Sequence, residues 1–479
     1  MTEDKKPHSL TSGSIKNILF KILSELISKP LILIYTIILT HLLSPSDYGT
    51  FTVAITFAIF AGVISDFGLS TIVLRETSIY EGAKLRQFIS TLFSLKLIII
   101  VIIIILSTVF IIYGPIHFAD NNVAIILTIS LSFYWFIEVF FSIFRSKFLP
   151  EKETLLFILW RVILLISTII LVFIYRNTIS AALSHLLASI AIFILGILLV
   201  RRFISHIDFQ LSKDTLNSIL KSSVFIFFSS LFIIAYFRID IIIMNLTGIP
   251  SDEIGRYGAV YKIIDAMMVF PAAIATGVFP ALSMVAKYKK EDIVKAGQLL
   301  RPMLFFGLLC PIVITPISRP VITLIYGAPF IPAYNILNIL LWALPFIFVN
   351  YILYSILISL GFERFNMIAT LICLVFNVVL NLILIPKLAL TGAAITTVLT
   401  EVVLLLSCSI ILIRQIKANI LLLIFGFIIS IIIVIGEYCI NRWWTLIPAI
   451  AVFVSISFIS CLIKRDDIAL ILSNVKSRK

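Results

Sequence analysis

Charge is scarce in this chain, and so are cysteine and glycine; each shortage closes off a class of protein. Charged residues are 13% of the 479 positions while 61% are apolar, far from the makeup of a water-soluble domain. A soluble fold cannot hide that much apolar surface, so the chain is read as an integral membrane protein. The five cysteines, Cys310, Cys373, Cys408, Cys439 and Cys461, are scattered without C-x-x-C spacing, and all but Cys439 lie within apolar runs. That scatter argues against a thiolate metal site or a disulfide framework. No glycine-rich phosphate cradle of the Walker kind occurs, so ATP is not expected to drive the chain directly. No cofactor and no metal are expected. The start, MTEDKKPHSLTSGSIKN, carries charges of both signs and no small-residue cleavage site, so the first apolar run is read as a retained span and not a removable signal peptide.

Long apolar sequence, by contrast, is abundant. About 20 mostly apolar residues in a helix cross a bilayer core. Fourteen such runs are read along the chain, the first near 18–43 and the last two near 418–436 and 443–463. Stretches such as LKLIIIVIIIIL (Leu95 to Leu106) are β-branched enough for strands. They are too long and unbroken for barrel strands, which alternate polar and apolar residues over about 10 positions. The expected fold class is therefore an all-α integral membrane protein with about 14 transmembrane helices.

Lys and Arg set the orientation. With the N-terminus taken as cytoplasmic, the outside segments hold only Arg176, Arg256, Arg319, Lys387 and Arg442. Lys21, Lys29, Lys96, Arg161, Arg238 and Lys262 lie within the runs, and the rest of the 37 cations fall inside. By the positive-inside rule both termini are cytoplasmic. The same distribution accounts for the net charge of +13. Spread over separate loops and ends, it forms no nucleic-acid surface.

One corner is written twice. LSPSDYGTFTVA (Leu43 to Ala54) and GIPSDEIGRYGAV (Gly248 to Val260) each close one apolar run and open another. In each, Pro and Ser break the first helix, Asp is suited to cap the next, and Gly lets the chain turn. Both corners face outward, so the halves are read as parallel repeats of six helices related by an axis along the membrane normal. The domains are then an N-lobe at 1–200, a cytoplasmic linker at 201–221, a C-lobe at 222–413, and two extra helices with a cytoplasmic tail at 414–479. The outside loops, among them LSPSD, GPIHFADNN and YGAPFIP, are short. None can house a catalytic domain, and none pairs a carboxylate with a histidine at a spacing for hydrolysis or transfer, so no enzyme is expected.

These corners also carry a resemblance. LLSPSDYGTFTVAITFAIFAGVISDFGLSTIVLRE (Leu42 to Glu76) resembles the N-terminal signature of the bacterial polysaccharide flippases, the Wzx-type members of the superfamily that includes MATE exporters and lipid II flippases. FRIDIIIMNLTGIPSDEIGRYGAVYKIIDAM (Phe237 to Met267) is similar to their mid-chain segment, and YGAPFIPAYNILNIL (Tyr326 to Leu340) and NVVLNLILIPKLALTGAAITTVLTEV (Asn377 to Val402) resemble their later helices. One departure is that Leu390 and Thr391 precede Gly392 where the pattern has a further glycine. The resemblance implies a two-lobed transporter that rocks between inward and outward access. It implies an undecaprenyl-pyrophosphate-linked oligosaccharide as cargo, carried from the cytoplasmic to the outer leaflet for O-antigen or capsule synthesis. Membrane lipids, a polysaccharide polymerase and chain-length machinery are the partners it implies, and helices thirteen and fourteen would be peripheral.

A pyrophosphate sugar cannot cross hydrocarbon unaided, so such a carrier needs cations and hydroxyl partners within its spans. A charge at mid-membrane costs about 2.5–3.5 kcal/mol on insertion scales, so each one should face a cavity, a partner or an interface. On the first helix, at about 100° per residue, Asn17, Lys21, Ser24, Ser28 and Tyr35 share a stripe with Glu25 at its edge. On the seventh, Ser222, Ser229, Tyr236 and Asp240 share a face. Lys21, Arg161 and Lys262, with Lys96, are the candidate cargo cations, and the rings of Tyr257 and Tyr261 are candidates for stacking on sugar. Asp66, Asp240, Asp265, Glu401 and Glu25 are candidates for ion coupling or gating. Plainer roles compete with these. Lys21 can snorkel or pair with Glu25, Lys96 and Arg161 can snorkel, Asp240 can be neutralised by Arg238 or Lys262, and Asp66 can serve as a cap. His41, His117 and His185 are read as ordinary polar residues. A MATE-like exporter of small cations, a membrane polysaccharide polymerase or ligase, and a scaffold in a glycan assembly complex are the competing functions.

Overall fold

The structure, a computed structural model, describes residues 12–77, 79–147, 149–201, 208–275, 300–360, 362–416 and 453. Among them the chain is helical and contains no strand. That follows from the solvent: in hydrocarbon every backbone N–H and C=O must be bonded internally, and a single apolar run manages this only as a helix. Eleven helical stretches in the described residues are long and apolar enough to cross a membrane, and the last of them spans a kink. The all-α membrane class therefore holds. The count of fourteen is not reached among the described residues, since the runs at 418–436 and 443–463 fall outside them.

By their contacts the residues form two units, 1–255 and 256–479. The first holds α1 (Ser12–Leu42), α2 (Pro45–Asp66), α3 (Leu69–Glu76), α4 (Gly82–Tyr113), α5 (Asn121–Ser146), α6 (Pro150–Tyr175), α7 (Thr178–Val200), α8 (Lys213–Leu246) and the opening of α9 (Ser251–Met267). Helix α5 is its centre, packed on α2, α4, α6 and α7. Its Phe136 and Phe140 meet Phe93 and Phe193 ring to ring, and Gly196 of α7 leaves room for the Phe140 ring. Small residues let α5 and α7 approach closely, and Ser130 and Ser189 share a hydrogen bond of 3.1 Å across that seam. Outer helices instead expose apolar rows, such as Ile102, Ile105 and Val109 on α4 and Ile166, Ile170 and Phe173 on α6. Lipid is the solvent those rows suit.

The repeated corner has a different physical basis from the one expected. Ser44, not Asp47, caps α2: its Oγ accepts from the Asp47 N–H at 3.1 Å and donates to the Asp47 carboxylate at 2.7 Å. Nor is Gly49 a turn residue, because it lies inside α2. A Cβ on Gly49 would collide with the backbone of Ser251 and Gly255, and one on Gly255 with the backbone of Pro45 and Gly49. The two corners thus touch each other, and both glycines are there for close approach. The turn into the second corner uses Gly248 instead, at φ 77°. Because the obstacle is backbone, Gly49→Val is expected to cost about 1–3 kcal/mol through overpacking. A drop of several degrees in the melting midpoint of the purified protein checks this; an unchanged midpoint would show that the corners separate freely.

The second unit holds the rest of α9, then α10 (Leu300–Ile314), α11 (Ser318–Tyr326), α12 (Tyr334–Leu340), α13 (Leu344–Ser359) and α14 (Glu363–Ile416). Helices α10 and α13 cross tightly at Gly307, where a Cβ would strike the backbone of Pro345. Helix α14 is two helices joined three residues after Pro386, where Ala389 takes φ 48° and ψ −130°. The kink adjoins Leu390 and Thr391, where a further glycine was expected, but does not fall on them. A left-handed φ falls on Ala389, one residue before Leu390, and the β-carbon there is held under strain that glycine would not feel.

Candidate functional site

The polar groups of the first unit converge around α6. The stripe on α1 faces protein: Ser24, Ser28 and Tyr35 are all buried, and α1 packs along α6, where Thr154 Oγ1 donates to the Phe20 carbonyl at 3.3 Å. Glu25 is half-buried at the edge of that stripe. The side chain of Lys21 lies outside the described residues.

Arg161 is the centre of the cluster. Its guanidinium carbon stands 4.0 Å from the centroid of the Trp160 ring and 5.4 Å from that of Phe157. The Tyr134 ring stacks on Trp160 at 4.3 Å, and its hydroxyl donates to Glu138 at 2.9 Å. Glu25, Tyr35 and Tyr134 lie within electrostatic reach of the guanidinium. On α7, His185 Nε2 and the Tyr35 hydroxyl share a hydrogen bond of 2.9 Å, the two rings meeting edge to face. Three nitrogens in this region, Trp160 Nε1, Arg161 Nε and His185 Nδ1, are buried with no hydrogen-bond partner among the described residues. A guanidinium whose face is held by an aromatic ring keeps its edge donors for a planar or tetrahedral anion, with little freedom left to lose on binding.

The other charged candidates are committed to partners. Lys96 Nζ and Asp66 Oδ1 form an ion pair at 2.5 Å, with side-chain exposures of 0% and 9%. Ser70 Oγ donates to the same oxygen. Lys96 therefore reaches an internal carboxylate and does not snorkel to the surface. Asp66 ends α2, and Phe67 and Gly68 beyond it are left-handed, so the pair pins the bend into α3. Further along, Arg145 links Glu138 and Glu153 at 3.6 and 3.0 Å.

In the second unit Lys262 Nζ donates to Asp265 Oδ2 at 3.1 Å, one turn away on the same helix. Tyr257 and Tyr261 are buried, their rings 5.8 Å apart. Glu401 is buried on α14. Asn350 Nδ2 of α13 donates to its Oε2 at 2.8 Å and to its backbone carbonyl at 3.1 Å. Beside it Asn377 Nδ2 donates to Thr400 Oγ1 at 3.1 Å, and Asn381 Nδ2 to Asn377 Oδ1 at 2.8 Å. Asp240, buried on α8 in the first unit, accepts from the Ile241 N–H at 2.8 Å. Among the described residues no group of three or more His, Cys, Asp or Glu side chains is placed to hold a metal ion.

Sequence reasoning missed Tyr134, Trp160 and His185. His185, an ordinary polar residue by sequence, is bonded to Tyr35. A signal existed: Trp-Arg adjacent in an otherwise apolar run, with Tyr134 four residues before Glu138, places aromatic faces beside buried charge.

The family model described as polysaccharide biosynthesis protein matches residues 14–286, and the MatE model matches residues 226–383. The probable low-salt glycan biosynthesis flippase Agl15 of Haloferax volcanii is 23% identical over 368 residues, 75% of each chain. The capsular polysaccharide biosynthesis protein CapF of Staphylococcus aureus is 27% identical over 171 residues, 35% of this chain and 42% of CapF. Among solved structures, the lipid II flippase MurJ in an inward closed conformation superposes with a TM-score of 0.72 at 18% identity, covering 93% of this chain and 98% of MurJ. The MATE multidrug transporter DinF-BH gives 0.61 at 16% identity, covering 86% of this chain and 98% of that one. At such identities these structures speak for a shared fold.

Proposed function

The chain belongs to the polysaccharide biosynthesis protein family, and from that premise we propose that it is a flippase that carries a lipid-linked glycan between leaflets. The cargo is an undecaprenyl-pyrophosphate-linked oligosaccharide, moved outward across the bacterial inner membrane by alternating access, with residues 1–200 and 222–413 as the moving lobes and both termini cytoplasmic. Arg161 carries this reading: a guanidinium inside a membrane span, stacked on Trp160, whose buried Nε meets no acceptor among the described residues. An anionic headgroup supplies what that site lacks, and the lipid tail need never leave the bilayer. Asp240, Asp265 and Glu401 are the proposed ion-coupling carboxylates, since a buried acid within a span is the group a cation gradient can act on.

A second reading, export of small cations, is favoured by the MatE match over residues 226–383. One measurement separates the two: leaflet accessibility of an undecaprenyl-linked oligosaccharide in cells depleted of this protein, read with an outside probe that modifies sugar. Depletion is expected to strand cargo on the cytoplasmic side. Cargo that still reaches the outer leaflet at the normal rate would overturn the flippase reading.

A further inference from the structure

Where α3 gives way to α4, the chain and the start of α8 line a half-open cavity of about 230 Å³. Its lining comes from segments that the Lys and Arg count assigns to the cytoplasmic side. Both of its walls are built. On one, Arg75 Nη2 pairs with Glu76 Oε1 at 2.8 Å, and Lys84 Nζ sits 4.2 Å over the Tyr80 ring. The other is delivered by a strap. Residues 208–212 run along α4, and the backbone N–H groups of Asp208, Gln210 and Ser212 donate to Ser90 Oγ, Ser94 Oγ and Thr91 Oγ1 at 3.2, 3.0 and 3.4 Å. Arg86 holds Asp208 at 2.7 Å. The strap ends at Ser212, the cap of α8, and so sets Asp214, Thr215 and Ser218 into the cavity wall.

The lining has a distinctive balance. Two cations, Arg75 and Lys84, face two carboxylates, Glu76 and Asp214. An anion cradle would be left positive and a metal site negative, whereas here the charges cancel. What remains is Gln87, three aliphatic hydroxyls and the Tyr80 phenol, a set that both donates and accepts, with Ile72, Phe88 and Ile219 as an apolar floor. Polyhydroxy ligands need that mixture. The volume is below the roughly 300–1,000 Å³ of sites for drug-sized ligands, the scale of one sugar ring. We infer that this cavity is a carbohydrate site, which reads one pyranose of the cargo's glycan before translocation. Its place in transport rests on the flippase reading; its ability to bind sugar does not.

The test uses the purified full-length protein with Ser218→Cys, an exposed position in the cavity wall. Maleimide labelling, corrected for that of the unsubstituted chain, is followed with glucose, galactose, N-acetylglucosamine, glucuronic acid or inorganic pyrophosphate. At about twice the Kd a bound sugar slows labelling about threefold. At least one pyranose is expected to do so, and pyrophosphate is not. Protection should vanish when Glu76→Gln and Asp214→Asn are added to a protein that still elutes as a single species. No protection by any pyranose, or equal protection by pyrophosphate, would overturn the site. Ser218→Trp, which fills the cavity, is expected to cut export of cargo about tenfold, equivalent to 1.4 kcal/mol. If sugars protect but Ser218→Trp exports normally, the site takes free sugar and its cargo role falls, while the flippase reading stands. If sugars protect but depletion of the protein leaves flipping intact, the flippase reading falls and the carbohydrate site stands.

Discussion

Replacing Lys96 with Met will leave little folded protein in the membrane, and adding Asp66→Asn will bring it back. The ammonium and the carboxylate meet at 2.5 Å with almost no exposure, so removing the cation strands a negative charge in a low-dielectric interior. Breaking a buried pair from one side costs about 3–5 kcal/mol, against a total stability of about 5–15 kcal/mol for a typical domain. The double variant removes both charges. Asn still accepts from Ser70, so the bend from α2 into α3 keeps one of its two pins. Because neither charge of the pair needs an external partner, export should return with the protein. Monodisperse protein from membranes and cargo export, measured on the same cells, check both parts. Normal levels of the single variant would show that the interior there is wet; a folded double variant that fails to export would put the pair in the transport cycle and not in the scaffold.

How much of this was legible beforehand depends on whether a feature is set along the chain or across it. Spans were legible because the bilayer imposes its length on every run, and the two corners were legible because Pro-Ser-Asp recurs in register. Even there, the role of Gly49 was not, since a glycine inside a helix and a glycine at a turn look alike until the opposing backbone of Ser251 is known. The intramembrane charges could be counted, but their pairing could not. Lys262 and Asp265 are close in sequence and their pairing follows from helical spacing. Asp66 and Lys96 are 30 residues apart, and Tyr35 and His185 are 150 apart. Only tertiary packing brings such groups together, and no periodicity in a single chain encodes it. Ala389 is the opposite case: a strained, non-glycine left-handed residue that contradicts local preference, so local preference could not have found it.

Arg161 is expected to separate charge from geometry. Arg161→Ala should reduce the appearance of cargo in the outer leaflet ten- to a hundredfold at normal protein level, in line with about 1.5–3 kcal/mol for hydrogen bonds to a charged group. Protein level should hold, because the substitution removes a desolvated cation that pairs with no carboxylate at salt-bridge distance in the described residues. Arg161→Lys keeps the charge but not the plane, the stack on Trp160 or the fixed fork of donors, and it should transport nearly as poorly as Ala. Trp160→Leu should fall between the native chain and Arg161→Ala: the guanidinium remains, but it loses the ring 4.0 Å away and regains rotamers that binding must then freeze. The measurement for all three is sugar accessibility at the outer leaflet, normalised to protein in the membrane. Native rates in Arg161→Lys would reduce the site to a point charge. Native rates in Arg161→Ala would remove the anion site from the first unit and turn attention to the cations of the second, where Lys262 already has Asp265 to neutralise it and must exchange that partner to hold a phosphate.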